Sequence, residues 1–397
     1  MIHFSVRIFQ VVGILGCLSS SIYYLICLWS AAAFLRQRHA GGGAHPTQVS
    51  AQSLPPVSVL KPLKGTDPDI YQSFRSHCLL DYPEYEIIFG VSDPDDPAVA
   101  SVRQLQREFP DRTIELIVSP NILGSNVKVS NLEQMLPAAR YQHLLINDSD
   151  IRVERDYLRR VIAPLLNEDE RIGMVTCLYR GVAASTIGSQ LESLGISTEF
   201  CAGVLVARQL EGGLKFGLGS TLAFRRDDLE RIGGFRSIVD FLADDYELGR
   251  RIADLGLQVV LSDVVVETHL PAYELREFFA HQLRWARGVR DSRTGGYIGL
   301  VSTYGLMWGL LALFAGRAAP WAWAVLGGTF LLRLAMALTV GRFVLEDRKL
   351  LRHLWLLPVR DLIAVGVWVA SLAGHTVTWR GDRFELKNGR LIRLAPK

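Results

Sequence analysis

Cysteine is scarce and scattered. The five present, Cys17, Cys27, Cys78, Cys177 and Cys201, give neither a zinc-ligand spacing nor a disulfide framework, so the polar part of the chain is expected in a reducing compartment. There is no excess of charge of one sign either. The 43 Lys and Arg offset 40 Asp and Glu to leave +3, too little to recruit nucleic acid by bulk electrostatics, and no nucleic-acid partner is expected. A removable signal peptide is also missing: the first apolar run is too long and no small-residue cleavage site follows it cleanly. Ile14-Leu15-Gly16-Cys17 resembles a lipoprotein cleavage site only loosely, because the run continues well beyond it. What is present is a mixture, 49% hydrophobic and 21% charged over 397 residues. That combination excludes a chain buried in lipid throughout and fits one catalytic domain fused to membrane helices.

The apolar residues are concentrated at the two ends. Residues 8–35 carry no formal charge and exceed the roughly 20 residues needed to cross a bilayer. Arg36, Arg38 and His39 follow, which favours a cytosolic exit, and 36–55 reads as a linker opening on Gly41-Gly42-Gly43. Residues 297–375 read as C-terminal membrane helices: Tyr297 to Gly316, Ala318 to Gly341 interrupted by Arg333, and Leu354 to Gly374. The last contains Arg360-Asp361, a pair costly at that depth unless it is paired or faces an interface. The basic tail, 376–397, alternates around Asn388-Gly389 as a β-hairpin does. Its charge favours the cytosol, whereas three full crossings would place it outside, so the Leu354 segment is expected to lie in the interface or re-enter.

Between these ends, 56–293 reads as an α/β domain. Strands are expected at Val57 to Leu60, Tyr85 to Val91, Ile114 to Val118 and His143 to Asn147, with helical segments such as Ala98 to Phe109 between them. That alternation implies a mostly parallel sheet flanked by helices, with ligands at the carboxyl ends of the strands, where the acidic residues cluster.

Asp148-Ser149-Asp150 follows a strand directly, and two carboxylates one residue apart can hold Mg2+ or Mn2+ together with a diphosphate. A solvated turn is the bland alternative. Asp244-Asp245 opens a helix, where a carboxylate often only caps; Asp244 could cap while Asp245 points into the cleft as a general base. In Phe278 to Arg287, the residues His281, Arg284 and Arg287 share a face away from the apolar stripe. These arginines can meet anionic headgroups, and Arg284 can also grip a departing diphosphate while Trp285 stacks on acceptor or sugar. Asp93, just past a strand, could bond a base or ribose, and Lys128 could neutralise phosphate. Each alone is more readily read as a surface turn. The loop Gly217-Leu218-Gly219-Ser220-Thr221 would let backbone approach a sugar, and His269 could complete a metal shell. Glu199 to Gln209 is an acceptor-side segment or ordinary core.

Taken together, Lys61-Pro62-Leu63-Lys64-Gly65 with Asp67-Pro68, Leu80-Asp81-Tyr82-Pro83, Asp93 to Ala98, Asp148 to Val153, Ala243 to Tyr246 and Arg284-Trp285 occur in that order. The set resembles the ceramide glucosyltransferase family, which includes bacterial relatives that glycosylate hopanoid polyols; Trp379-Arg380-Gly381 is similar to that family's tail. The resemblance implies a GT-A fold with N- and C-terminal transmembrane helices, an inverting mechanism, a UDP-sugar donor carrying glucose or N-acetylglucosamine, and a lipid acceptor at the bilayer. It makes Asp245 the catalytic base, Asp93 a nucleotide contact and Asp148 with Asp150 the metal–diphosphate site, with Arg284 and Trp285 in the closing helix. The family's closing motif has Gln or Arg where this chain has His281, and animal members have Gly where it has Asp150. The protein is expected to be integral to a bacterial plasma or inner membrane, or a Golgi-type membrane in a eukaryote, with the catalytic domain cytosolic. The rivals are a transporter, for which the apolar segments offer too few polar groups, an inactive nucleotide-sugar scaffold, and a polysaccharide or polyprenyl-phosphate sugar synthase.

Overall fold

The computed structural model describes residues 2–41, 54–167, 170–379 and 381–394; residues 42–53 of the expected linker lie outside that range. The chain divides into two compact units. One comprises Met1–Gln37, Ser185–Val206 and Ala272–Trp379, the other Arg38–Ala184, Ala207–Pro271 and Arg380–Lys397.

The second unit is built on an eight-stranded sheet. Its strands are β1 (Val57–Pro62), β2 (Tyr85–Val91), β3 (Ile114–Val118), β4 (His143–Ile146), β5 (Ile151–Arg152), β6 (Ile172–Val182), β7 (Leu222–Arg225) and β8 (Gln258–His269), in the order β3-β2-β1-β4-β7-β6-β8-β5. Strands β3, β2, β1 and β4 run parallel, and β6 runs parallel to β8. β7 joins the two groups antiparallel to both, and β5 is antiparallel to β8. All of β1 and β2 is buried, as parallel strands covered on both faces must be. The register aligns Val57 with both Tyr85 and His143, so β1, β2 and β4 deliver their carboxyl-end turns to one edge. The Val127–Met135 helix packs tightly there: a methyl group at Gly90 would meet Met135 Sδ at 2.2 Å.

The first unit is helical. Among the described residues three helices are long and apolar enough to cross a membrane: Val6–Ala40, Pro320–Val344 and Leu350–Leu372. Leu15, Leu331 and Val369 remain well exposed on them, apolar surface that requires a lipid-like cover. Leu350–Leu372 is continuous, while Thr294–Thr303 and Gly305–Ala315 meet at a 48° bend, a broken span or a re-entrant loop. The charges at depth are paired. Arg333 grips both Asp361 oxygens at 2.7 and 3.1 Å and donates to the Thr198 carbonyl at 3.1 Å, while Arg360 lies 2.9 Å from Glu199. Small residues permit close approach, since a methyl group at Gly13 would lie 2.8 Å from the Ala312 backbone. Of the Glu199 to Gln209 segment, the part up to Val206 belongs to this unit, with Cys201, Ala202, Val204, Leu205 and Val206 buried.

Candidate active site

The turn after β4 is fastened from below. Asn147 is fully buried and donates to Tyr157 Oη at 2.9 Å and to the Ser220 carbonyl at 2.5 Å. Lys61, inside β1 and without exposed surface, donates Nζ to the Asp148 carbonyl at 3.0 Å. Burial lowers the Lys61 ammonium to about 7, against the opposing pull of Asp150, Asp148 and Asp67. Ser149 Oγ donates to Asp67. Lys61 and Asp67 therefore support the acidic turn, a role that chemical reading of the sequence did not assign them. The available signal was a lysine near the end of an otherwise uncharged strand.

Lys128 joins two acidic segments 96 residues apart in numbering. Its Nζ lies 2.7 Å from Asp148 Oδ1 and 2.9 Å from Asp244 Oδ2. Burial works against that charge, but Asp148, Asp244 and Asp245 outweigh it and hold the ammonium well above the usual lysine range. Asn126 positions it by capping the helix, accepting from the Val129 N–H at 3.2 Å. Asp244 does not cap its own helix as expected; its carboxylate faces Lys128 instead, and no side chain caps that end.

Asp245 sits beside them. Its Oδ2 accepts the Gly219 N–H at 2.8 Å and its Oδ1 the Tyr246 N–H at 2.8 Å. Burial, then the negative Asp244, raise its affinity for a proton, and Lys128 opposes them. The loop Gly217-Leu218-Gly219 separates the two acids: a methyl group at Gly219 would lie 2.7 Å from Asp148 Oδ2 and 3.4 Å from Asp245 Oδ2. Both Asp245 oxygens are thus fixed by backbone N–H groups, which favour the ionised form, while burial and Asp244 favour the protonated one.

Asp150 is pushed up to about 6 by burial and by the neighbouring Asp148, with a hydrogen bond from Thr268 opposing. The expected three-donor shell with His269 is not formed. Among the described residues no group of three or more His, Cys, Asp or Glu is arranged to hold a metal ion. The imidazole lies instead between Asp69 at 3.3 Å and Glu267 at 3.6 Å, because β8 directs it toward its own acidic neighbours. Asp93 is exposed and accepts the Asp95 N–H at 2.9 Å within its own turn. The adjacent Asp96 ties that turn to β1 by accepting from the Gly65 N–H at 2.8 Å.

Arg284 and Trp285 lie in the helical unit, on the Leu275–Ser292 helix, whose start is closed by a reciprocal Glu274–Glu277 capping box. Trp285 packs edge-on against Phe200 at 5.7 Å and, with rings tilted, against His281 at 5.5 Å. His281 stacks on Tyr273 and lies 3.4 Å from the buried Glu192. Arg287, which shares their face, donates to the Thr376 carbonyl at 2.6 Å and the Ala373 carbonyl at 2.9 Å, satisfying groups at the end of the Leu357–Leu372 helix.

A mostly parallel sheet flanked by helices, with acidic turns at its strand ends, is the GT-A architecture, and the protein is a membrane-type glycosyltransferase. It belongs to glycosyl transferase family 21, which it matches over residues 12–392. Ceramide glucosyltransferase 1 of Caenorhabditis elegans is 23% identical over 402 residues, covering 98% of this chain and 82% of that one. Ceramide glucosyltransferase of Komagataella phaffii is 32% identical over 113 residues, 28% of this chain and 22% of that one. Among solved structures, a mannosyltransferase from Pyrobaculum calidifontis in complex with GDP-Man and Mn2+ is similar, at 19% identity and a TM-score of 0.49. It covers 88% of this chain and 99% of that one.

Proposed function

We propose that this protein transfers a hexose, glucose or N-acetylglucosamine, from a UDP-sugar to a hydroxyl of a membrane lipid such as ceramide or a hopanoid polyol, inverting the anomeric centre on the cytosolic face. The observation that carries this reading is the approach of Asp148 and Asp245 to the same backbone position, Gly219, with Lys128 bound to the acidic pair beside them. The ceramide glucosyltransferase likeness along the chain supports the lipid acceptor.

Asp245 takes the proton of the acceptor hydroxyl, and that oxygen attacks the anomeric carbon from the face opposite UDP. The bond from that carbon to the diphosphate breaks with its electrons going to the leaving oxygen, through an oxocarbenium-like transition state. Lys128 meets the phosphates, Asp93 the nucleoside, and Arg284 with Trp285 the departing diphosphate and the sugar. Asp148 and Asp150 suit Mg2+ or Mn2+, because such cations take one or two protein carboxylates and leave positions for phosphate and water. The upward shift of Asp150 comes first from burial and then from the neighbouring Asp148, and a cation beside it would oppose both by favouring the ionised form. When bound, the cation neutralises charge on the diphosphate.

The test is turnover of Asp245→Asn with labelled UDP-sugar and lipid in detergent, with product mass read in parallel. The expected loss is on the order of 10²–10⁴ in kcat. Turnover close to the unmodified enzyme removes Asp245 as the base, and a water-soluble polymeric product removes the lipid acceptor.

A further inference from the structure

The segment that delivers Asp244 and Asp245 is held from two sides. On one side is the Lys128 helix: Asn126 N–H donates to the Val239 carbonyl at 2.8 Å, Asn126 Nδ2 to the Phe241 carbonyl at 2.8 Å, and Ser125 N–H to Asp240 Oδ1 at 2.9 Å. On the other side is the end of the chain. Asp382–Lys387 and Arg390–Arg393 form an antiparallel hairpin whose corner, Asn388 and Gly389, has both φ angles positive (52° and 77°), as a tight two-residue turn requires. Its inner face buries Phe384, Leu386 and Leu391.

That corner is bonded to the catalytic segment. Leu242 N–H donates to the Gly389 carbonyl at 3.0 Å, Leu391 N–H donates to the Asp240 carbonyl at 2.7 Å, and Arg390 lies opposite Phe241 in an antiparallel bridge. The Phe241 ring is buried, with the Arg390 guanidinium 5.2 Å and the Arg251 guanidinium 5.5 Å from its centre. A methyl group at Gly389 would come within 3.3 Å of the same ring. Three consecutive residues, Asp240 to Leu242, thus take partners from the last residues of the chain, and Asp244 follows two residues later.

We propose that the C-terminal hairpin is a positioning element for the reaction. Its corner at Asn388 to Leu391 fixes the Asp240–Leu242 segment and through it the aim of the Asp245 carboxylate at the acceptor hydroxyl. Arg390 touches neither donor nor acceptor in this scheme; it acts through Phe241. The role assigned to Asp245 rests on the function proposed above, whereas the brace itself is a property of the fold. The contacts explain why a tail that follows the membrane helices belongs to the catalytic unit. Without the hairpin, the Leu242 N–H and the Asp240 carbonyl lose their partners, and the segment has one anchored side instead of two.

The experiment compares the full-length protein with Arg390→Ala, Arg390→Lys and a chain ending at Gly381, all in detergent. Hydrogen exchange is read on peptides covering 238–248, and kcat and donor KM are read separately. Exchange across 238–248 should speed up about tenfold or more in Arg390→Ala and the truncated chain, while β1 and β2 peptides keep their protection. In Arg390→Ala, kcat should fall by about 10- to 10²-fold with donor KM changed less than about twofold, as misplacement of one reacting group predicts. Arg390→Lys, which keeps a cation over the ring, should restore most of kcat. Unchanged exchange in 238–248 overturns the brace, and so does full kcat in Arg390→Ala despite faster exchange. If the truncated chain does not fold, the point variants decide. An unmodified enzyme that moves no sugar defeats the functional reading, and the exchange data then decide the brace alone.

Discussion

Lys128 shows how a site is assembled from residues that look ordinary one at a time. In the sequence it is a lysine among serines and asparagines; in the fold it neutralises Asp148 and Asp244 together. Asp148, Asp244, Asp245 and Lys128 were each named from the sequence, although a carboxylate at a helix start often serves only as a cap. Asp148, Asp245 and Lys128 do converge. Orientation was harder to read. Nothing in the sequence says that Asp244 faces Lys128 rather than its helix end, or that His269 turns to Asp69 and Glu267, since both depend on which strands lie side by side. A consequence in pH follows from Asp245. Burial and Asp244 raise its proton affinity, so the base is lost to protonation as pH falls through a value above the ordinary aspartate range. The acid limb of kcat/KM against pH should lie above that range, near 4, and a limb at or below 4 would mean another group supplies the base.

At the scale of elements, the first four strands and the helix after Pro97 stand where alternation of apolar and turn residues placed them, because buried parallel strands read as short apolar runs. β6 (Ile172–Val182) and β7 (Leu222–Arg225) were not named from the sequence. Gly249 marks where the Asp245 helix meets the Gly217 loop. A methyl group there would lie 2.1 Å from the Gly217 nitrogen and 2.4 Å from the Phe216 carbonyl carbon. Gly249→Ala should cost about 1–3 kcal/mol of stability and most of the activity, read by thermal unfolding and turnover, because backbone cannot yield as a flexible side chain does. Between helices, Arg333 and Asp361 form a buried pair. Arg333→Leu should destabilise by roughly 3–5 kcal/mol by leaving a lone carboxylate among apolar groups, whereas Arg333→Leu with Asp361→Leu should recover most of the loss. Equal melting of single and double variants would count against that pairing.

At the scale of the whole molecule, the sequence suggested one catalytic stretch, 56–293, followed by membrane helices, but the chain is threaded differently. Ser185–Val206 and the Leu275–Ser292 helix group with the apolar bundle, and the tail groups with the sheet. Local composition could not show this, because the Leu275–Ser292 helix is amphipathic and the tail is short and basic. The threading bears on how the protein is sewn into its bilayer. The polypeptide departs from the sheet-bearing unit at Pro271 and is part of it again from Arg380. A thread that starts and finishes on one side of a sheet of lipid pierces it an even number of times. Pro320–Val344 and Leu350–Leu372 are long and apolar enough to be two such crossings, and the bent pair at 294–315 is a broken span or a re-entrant loop. A cysteine placed at Arg393 and another at Gly212, each in sealed vesicles, should therefore react with an impermeant maleimide from the same side; labelling from opposite sides would mean an odd count and a different weave.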